Sequence, residues 1–117
     1  MKDISAESFD HDGNTYVLTC RAAAGQCAML GVVSSKTGHE ISRIKYSVSG
    51  GLQTKWGITS DDAVKFMSRF AKFYTQVRLA RGDLAKTDEY LFDDDFAASK
   101  PEAVVDKVER EWRSLVA

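Results

Sequence analysis

Apolar and polar residues alternate along two stretches in the first half of the chain, residues 14–22 and 40–48. Alternation with a period of two places every second side chain on the same face of a β-strand. Both stretches contain Val, Ile, Tyr or Thr, which favour strands. The pattern predicts strands at about 14–22, 26–35 and 39–49, and a less regular first strand at residues 4–9.

Two glycines, Gly25 and Gly38, are placed to close the hairpins between these strands. Glycine supplies the positive φ that a tight turn with a glycine bulge requires. Turns of this type set Leu18 opposite Leu30, and Leu30 opposite Ile44. The two registers then bring together one nearly apolar sheet face, made of Tyr16, Leu18, Cys20, Ala28, Leu30, Val32, Ser42, Ile44 and Tyr46.

The opposite sheet face is predicted to be mixed in character. A solvated face of an antiparallel sheet normally carries polar residues, but here apolar side chains alternate with bases. Contiguous exposed apolar residues commonly mark a contact surface, unless another part of the chain covers them. The sequence therefore predicts a candidate interaction face, which consists of Val17, Arg21, Met29, Val33, Ile41, Arg43 and Lys45.

Two helices are predicted in the second half of the chain. The first begins near Thr59 or Ser60, ends at Gly82 and repeats apolar residues every three or four positions. Its apolar stripe consists of Ala63, Phe66, Met67, Phe70, Phe73, Tyr74 and Val77. The second helix begins after Ser99, with Pro101 in its first turn. Residues 52–58 are expected to connect sheet and helix, and residues 83–98 to form a long acidic loop.

These elements predict an α+β fold. A three- or four-stranded antiparallel β-meander is followed by two α-helices, and the first helix packs on one sheet face. The length of 117 residues, with 44% hydrophobic and 28% charged residues, is typical of one globular domain, residues 1–117.

Charge and hydropathy narrow the class of partner. The net charge of −1 and the pI near 6.1 give no overall attraction to nucleic acid or to anionic membranes. No apolar stretch approaches the roughly 20 residues that span a bilayer, and the first residues do not resemble a secretory signal. A cytoplasmic protein without a membrane partner is expected.

Cys20 and Cys27 flank the first predicted hairpin turn. The predicted register places their side chains on opposite faces of the sheet, where they cannot form a disulfide. Two free thiols are therefore predicted. The spacing of the two cysteines does not suit a zinc site.

Catalytic chemistry has little support in the sequence. The chain lacks HExxH, CxxC, nucleophile-elbow and phosphate-loop motifs. His11 and His39 lie beside predicted turns, where polar residues are common. Residues 93–95 are three consecutive aspartates without the alternating ligands of a calcium loop. We expect no catalytic, cofactor-binding or metal-binding residues, and an enzyme is the third-ranked hypothesis.

The first helix also carries a basic ridge, Lys65, Arg69 and Lys72, opposite its apolar stripe. Such a ridge is typical of a solvated helix face. The alternative is a surface that contacts phosphate groups.

The order of four strands followed by a helix resembles single-stranded nucleic-acid-binding proteins of the positive-cofactor-4 and whirly families. The resemblance covers at most residues 14–80, and residues 55–59 (Lys-Trp-Gly-Ile-Thr) are similar to the stretch before the helix in the former family. It implies a nucleic-acid binder that uses Arg21, Arg43 and Lys45, or the basic ridge. We predict instead a non-catalytic interaction module that binds another protein or a second copy of itself, and nucleic-acid binding is the alternative.

Overall fold

The computed structural model describes residues 2–22 and 26–117. Within these ranges the strands are β1 (Lys2–His11), β2 (Asn14–Ala22), β3 (Ala28–Ser35), β4 (Glu40–Val48) and β5 (Thr87–Phe92). The α-helices are α1 (Gly50–Trp56), α2 (Ser60–Arg81) and α3 (Pro101–Val116), and a 3₁₀ helix covers Asp94–Ala98. The fold is α+β, as predicted. None of the helices in the described ranges is both long and apolar enough to cross a membrane.

The strands form one sheet in the order β1-β2-β3-β4-β5. Strands β1 to β4 are the predicted antiparallel meander, and β5 adds a fifth strand that runs parallel to β4. A parallel pair needs a crossover connection, and α1 and α2 supply it. The sequence prediction placed β5 in a loop because residues 83–98 are rich in aspartate, which is depleted in strands.

Helix α1 replaces the connector predicted at residues 52–58. The Oγ atom of Ser49 accepts a hydrogen bond from the N–H of Leu52, and Gly57 ends the helix with φ of 63°. Leu52 is fully buried. Both caps are readable in the sequence, but the glycine pair at residues 50–51 disfavours a helix start.

The structure corrects the predicted register of the first hairpin. Leu18 pairs with Val33, whereas the prediction paired it with Leu30. The shift of three residues is odd, so β3 turns its other face toward the helices. The predicted turn at Gly25 lies outside the described residues. On the face that α2 covers, β3 presents Met29, Gly31 and Val33.

The second hairpin has the predicted turn but not the predicted register. Gly38 has φ of 90°, and the N–H of Ser35 donates to the carbonyl of His39 at 2.8 Å. A bulge at the end of β3 then shifts the pairing by one residue, so that Gly31 pairs with Ile44. The two corrected registers agree on which face of β3 is buried.

Gly31 explains how this face of β3 packs. The ring of Tyr46 lies against it, and a Cβ atom at position 31 would be 3.0 Å from Cε2 of Tyr46. Glycine inside a strand often marks such a close approach. The sequence carried this signal, and the predicted register did not use it.

Helix α2 begins and ends as predicted. Thr59 and Asp62 form a reciprocal capping box, and Gly82 ends the helix with φ of 72°. Its predicted stripe faces the sheet, and the buried members are Ala63, Phe66, Met67, Phe70 and Val77. Helix α3 packs against α2 and buries Val105 and Val108.

Phe70 is the centre of an aromatic cluster that joins α2 to two strands. Its ring centroid lies 4.9 Å from that of Phe92, 5.0 Å from that of Tyr90 and 6.3 Å from that of Tyr46. Its exposed fraction is 4%. Edge-to-face and tilted pairs of this kind add to the free energy of apolar burial.

Both cysteines are free thiols, but the reason given by the predicted register is wrong. Cys20 is buried, and burial raises the pKa of its thiol. The Sγ atom of Cys27 donates to Oε1 of Gln53 in α1 at 3.0 Å and lies 3.4 Å from Oγ of Ser60 in α2. Both thiols therefore point toward the helices rather than to opposite faces.

Replacing Phe70 by alanine should lower the free energy of unfolding by about 3–5 kcal/mol, because it removes the shared partner of several rings and leaves a cavity. Chemical denaturation followed by circular dichroism measures the change. Leu115→Ala is the control, since Leu115 is 42% exposed and should change stability by less than about 0.5 kcal/mol. Equal, small effects of the two substitutions would show that Phe70 does not join the layers.

Candidate interaction face

The sheet face turned away from α2 and α3 is covered by none of the described helices. We call it the open face. Its position follows from the register, because the residues between those that α2 covers must point the other way. Its residues include Asp3, Val17, Thr19, Arg21, Leu30, Val32, Glu40, Arg43, Lys45, Glu89 and Leu91.

The open face contains four of the seven residues predicted for the interaction face, namely Val17, Arg21, Arg43 and Lys45. The prediction is wrong for Met29 and Val33, whose exposed fractions are 2% and 1% because the register of β3 is shifted. Ile41 is half-buried against the core. Leu30 and Val32 occupy the open face in their place.

The centre of the open face is apolar. Val17, Leu30 and Val32 are half-buried by their strand neighbours and do not belong to the core or to the residues packed against it. Leu91 on β5 is 55% exposed. Val17, Leu30 and Val32 form a band across β2 and β3 that water contacts in the single chain, and Arg43 and Lys45 of β4 separate this band from Leu91.

Bases and carboxylates surround this band in balanced numbers. Nε of Arg21 lies 2.8 Å from Oδ1 of Asp3, and the guanidinium of Arg43 donates twice to Glu40, at 2.8 and 3.2 Å. The hydrogen bonds from Arg43 hold the pKa of the Glu40 carboxyl below its usual value. Lys45 and Glu89 are register partners on β4 and β5. The three bases each have a carboxylate neighbour, so the local charge is close to zero.

The basic ridge lies elsewhere, on the outer side of α2. Nζ of Lys72 is 3.5 Å from Oε2 of Glu7 on β1, and Lys65 and Arg69 are exposed. The fold therefore does not join the ridge to Arg21, Arg43 and Lys45, which are on the opposite side of the sheet. The basic ridge and the charge-balanced open face are therefore two separate surfaces.

The other titratable candidates serve local structure. Asp93 caps the 3₁₀ helix by accepting from the N–H of Asp95, and Oδ2 of Asp94 lies 3.1 Å from Nζ of Lys55. His11 and His39 belong to the ends of separate hairpins. Among the described residues, no three His, Cys, Asp or Glu side chains are grouped so that they could hold a metal ion.

The aromatic side chains all lie on the helix side of the sheet or in the helices themselves. The six Phe, four Tyr and two Trp residues belong to the core or pack against it. Among the described residues, the open face therefore offers no aromatic ring on which a nucleobase could stack.

No protein-family model matches this chain, and comparisons with curated proteins and with solved structures give no match. The topological resemblance to the two nucleic-acid-binding families thus remains a prediction.

Proposed function

We propose that this protein is a non-catalytic interaction module whose open face binds the open face of a second copy. The observation that carries the proposal is an apolar, charge-balanced sheet face without a covering helix. Sheets bury such faces by packing on another layer. A second copy supplies that layer with the same chemistry.

The size of the open face is sufficient for a weak dimer. Five strands spaced about 4.8 Å apart, with eight residues rising about 3.3 Å each, give a face of roughly 650 Å². A standard interface buries about 800 Å² per partner. The area of the open face is smaller than this standard value, so a dissociation constant in the micromolar range is expected.

The charge balance favours a copy of the same chain over a polyanion. A strongly basic face would repel its own copy, whereas a face with as many carboxylates as bases does not. Each basic side chain of the open face also has a carboxylate neighbour, which weakens its attraction for a phosphate group. Proteins normally bind single-stranded nucleic acid through basic side chains together with aromatic rings that stack on the nucleobases. Such rings are absent from the described open face.

The order of charges suggests how two copies meet. Across neighbouring strands one row reads Asp3, Arg21, Leu30, Lys45, Glu89. A two-fold axis along β3 would set Arg21 against the Lys45 of the second copy. A displacement by one strand instead sets Arg21 against Glu89, and Leu30 against the Lys45 of the second copy. We therefore place the axis between β3 and β4, an arrangement in which four of the five strands overlap, or roughly 500 Å² of each face.

Leu30→Lys should abolish the dimer, because it places an ammonium group at the interface against Lys45 of the second copy. Sedimentation velocity of the wild type and the variant over a concentration series measures the change. Leu115→Lys is the matched control, since Leu115 is exposed on α3 and its substitution should leave association unchanged. Thermal melting monitored by circular dichroism checks that both variants fold.

A wild-type chain that stays monomeric at all accessible concentrations would refute self-association. In that case the open face would have to bind a different protein. Dimerisation that survives Leu30→Lys would place the interface on another surface.

Charge reversal tests the displaced arrangement. Arg21→Glu and Glu89→Arg should each weaken the dimer, and the double variant should restore much of the lost affinity. Within one chain the double variant gains nothing, since the new carboxylate on β2 would face Asp3 and the new guanidinium on β5 would face Lys45. Restoration measured as a double-mutant cycle therefore reports a contact between copies, and additive losses would contradict the arrangement.

Titration with a fluorescent single-stranded oligonucleotide tests the nucleic-acid alternative. Weak or no binding is expected at low salt, because the overall charge is −1 and the bases of the sheet have carboxylate neighbours. The double variant Lys65→Glu with Lys72→Glu tests the ridge separately. Salt-sensitive binding that this variant loses would support nucleic-acid recognition by α2.

A further inference from the structure

A half-open cleft lies between α2, α3 and β5, on the side of the sheet opposite the open face. Its volume is about 260 Å³. A dry cavity of about 150 Å³ is enough to hold a benzene molecule, so the cleft has room for one or two fused rings. Its floor is apolar and consists of Phe70, Val77, Phe96, Val104 and Val108.

The cleft is lined by small side chains on α3 and by large rings on α2 and β5. Val104 and Val108 of α3 line it together with Phe70 and the two tyrosines of this region. Valine is too short to fill the space that a larger residue would occupy at these positions. The 3₁₀ helix closes one end, where Phe96 packs on Phe92 with ring centroids 5.0 Å apart.

The rim of the cleft carries donors. Tyr74, Tyr90, Arg78 and Lys107 line the cleft, and their hydroxyl, guanidinium and ammonium groups are hydrogen-bond donors. Burial raises the pKa of Tyr90, so its hydroxyl remains protonated at neutral pH and can donate a hydrogen bond.

Arg78 is held in place on two sides. Its Cζ atom lies 5.1 Å from the centroid of the Tyr74 ring, and its Nη1 atom donates to Oδ2 of Asp83 at 2.9 Å. A guanidinium has five N–H donors, so this ion pair leaves others for a ligand. A positioned guanidinium can bind a carboxylate through two parallel hydrogen bonds.

One carboxylate, that of Glu111, also lies at the rim. It forms an ion pair with Arg81 of α2, which neutralises it. Arg78 is likewise paired with Asp83, so Lys107, which has no ion-pair partner among the described residues, gives the rim its net positive charge. Together with the apolar floor, this charge selects a molecule that is apolar at one end and anionic at the other.

We propose that the cleft binds a small amphipathic carboxylate whose body is an aromatic ring system or a compact aliphatic group. The body fills the space over Phe70, Val104 and Val108, and the carboxylate lies at the rim beside Arg78 and Lys107. The proposal does not depend on dimerisation, because the cleft and the open face are on opposite sides of the sheet.

Isothermal titration calorimetry with 2-naphthoate tests the proposal, and 2-naphthalenemethanol and 2-naphthylmethylamine serve as neutral and cationic probes of similar shape. The expected order of affinity is carboxylate first, alcohol second and amine last, with at least a fivefold preference for the carboxylate over the alcohol. Equal binding of the three probes, tighter binding of the amine, or no binding of any probe would overturn the proposal.

Two substitutions locate the site. Lys107→Gln should weaken 2-naphthoate binding several-fold without changing the affinity for the alcohol, because it removes only the charge at the rim. Arg110→Gln, an equal charge change at an exposed position of the same helix, is the matched control and should have no effect. Val104→Phe should remove binding of both probes by filling the cleft, while the melting temperature shows that the variant remains folded. Binding that Val104→Phe leaves unchanged would place the probe elsewhere.

Discussion

The contact between the aromatic stripe of α2 and the covered face of the sheet holds this structure together. Phe70 touches rings from β4 and β5, so one side chain joins the antiparallel meander to the parallel strand that follows α2. Gly31 makes room for Tyr46 in the same layer. Because these groups interdigitate, the register of β3 and the position of α2 depend on each other.

This packing concentrates the large apolar side chains on one side of the sheet. All the aromatic residues lie on this side of the sheet or in the helices. The other side carries aliphatic residues of moderate size with charges around them. A sheet with two such different faces is stable as a single chain, since its core is closed by α2 and α3. The open face nevertheless leaves apolar surface in water, and the proposed association with a second copy would remove that surface at little cost in charge repulsion.

The two proposed binding surfaces differ in the chemistry that they offer. The open face is broad and balanced in charge, which suits a flat partner of similar character. The cleft between α2 and α3 is small and enclosed on several sides, with cationic groups and hydroxyls at its rim, which suits a small anion. Since the sheet separates the two proposed surfaces, a second copy at the open face would not block a small anion in the cleft.

The sequence by itself determined the elements whose signals are local. The periodicity of α2, its cap at Thr59 and its end at Gly82 are all consequences of neighbouring residues, as are the strand alternation and the turn at Gly38. Tertiary structure decided the rest. Strand β5 forms because Tyr90 and Phe92 meet Phe70 across a long connection, and α1 forms in spite of its two glycines because Leu52 is buried.

Only part of the candidate site could be predicted from the sequence, because the facing of one strand depends on contacts between strands. Val17, Arg21, Arg43 and Lys45 lie on strands whose facing the alternation alone defines. The face of β3 depends on the length of the first hairpin connection and on a bulge in the second. Each one-residue change in pairing turns every side chain of a strand over, so the apolar pattern of β3 could not decide between Met29 and Leu30. Gly31 signalled a close approach within the strand, but not which residue makes it. The packing of Tyr46 on Gly31, a contact between residues on two strands, made that choice.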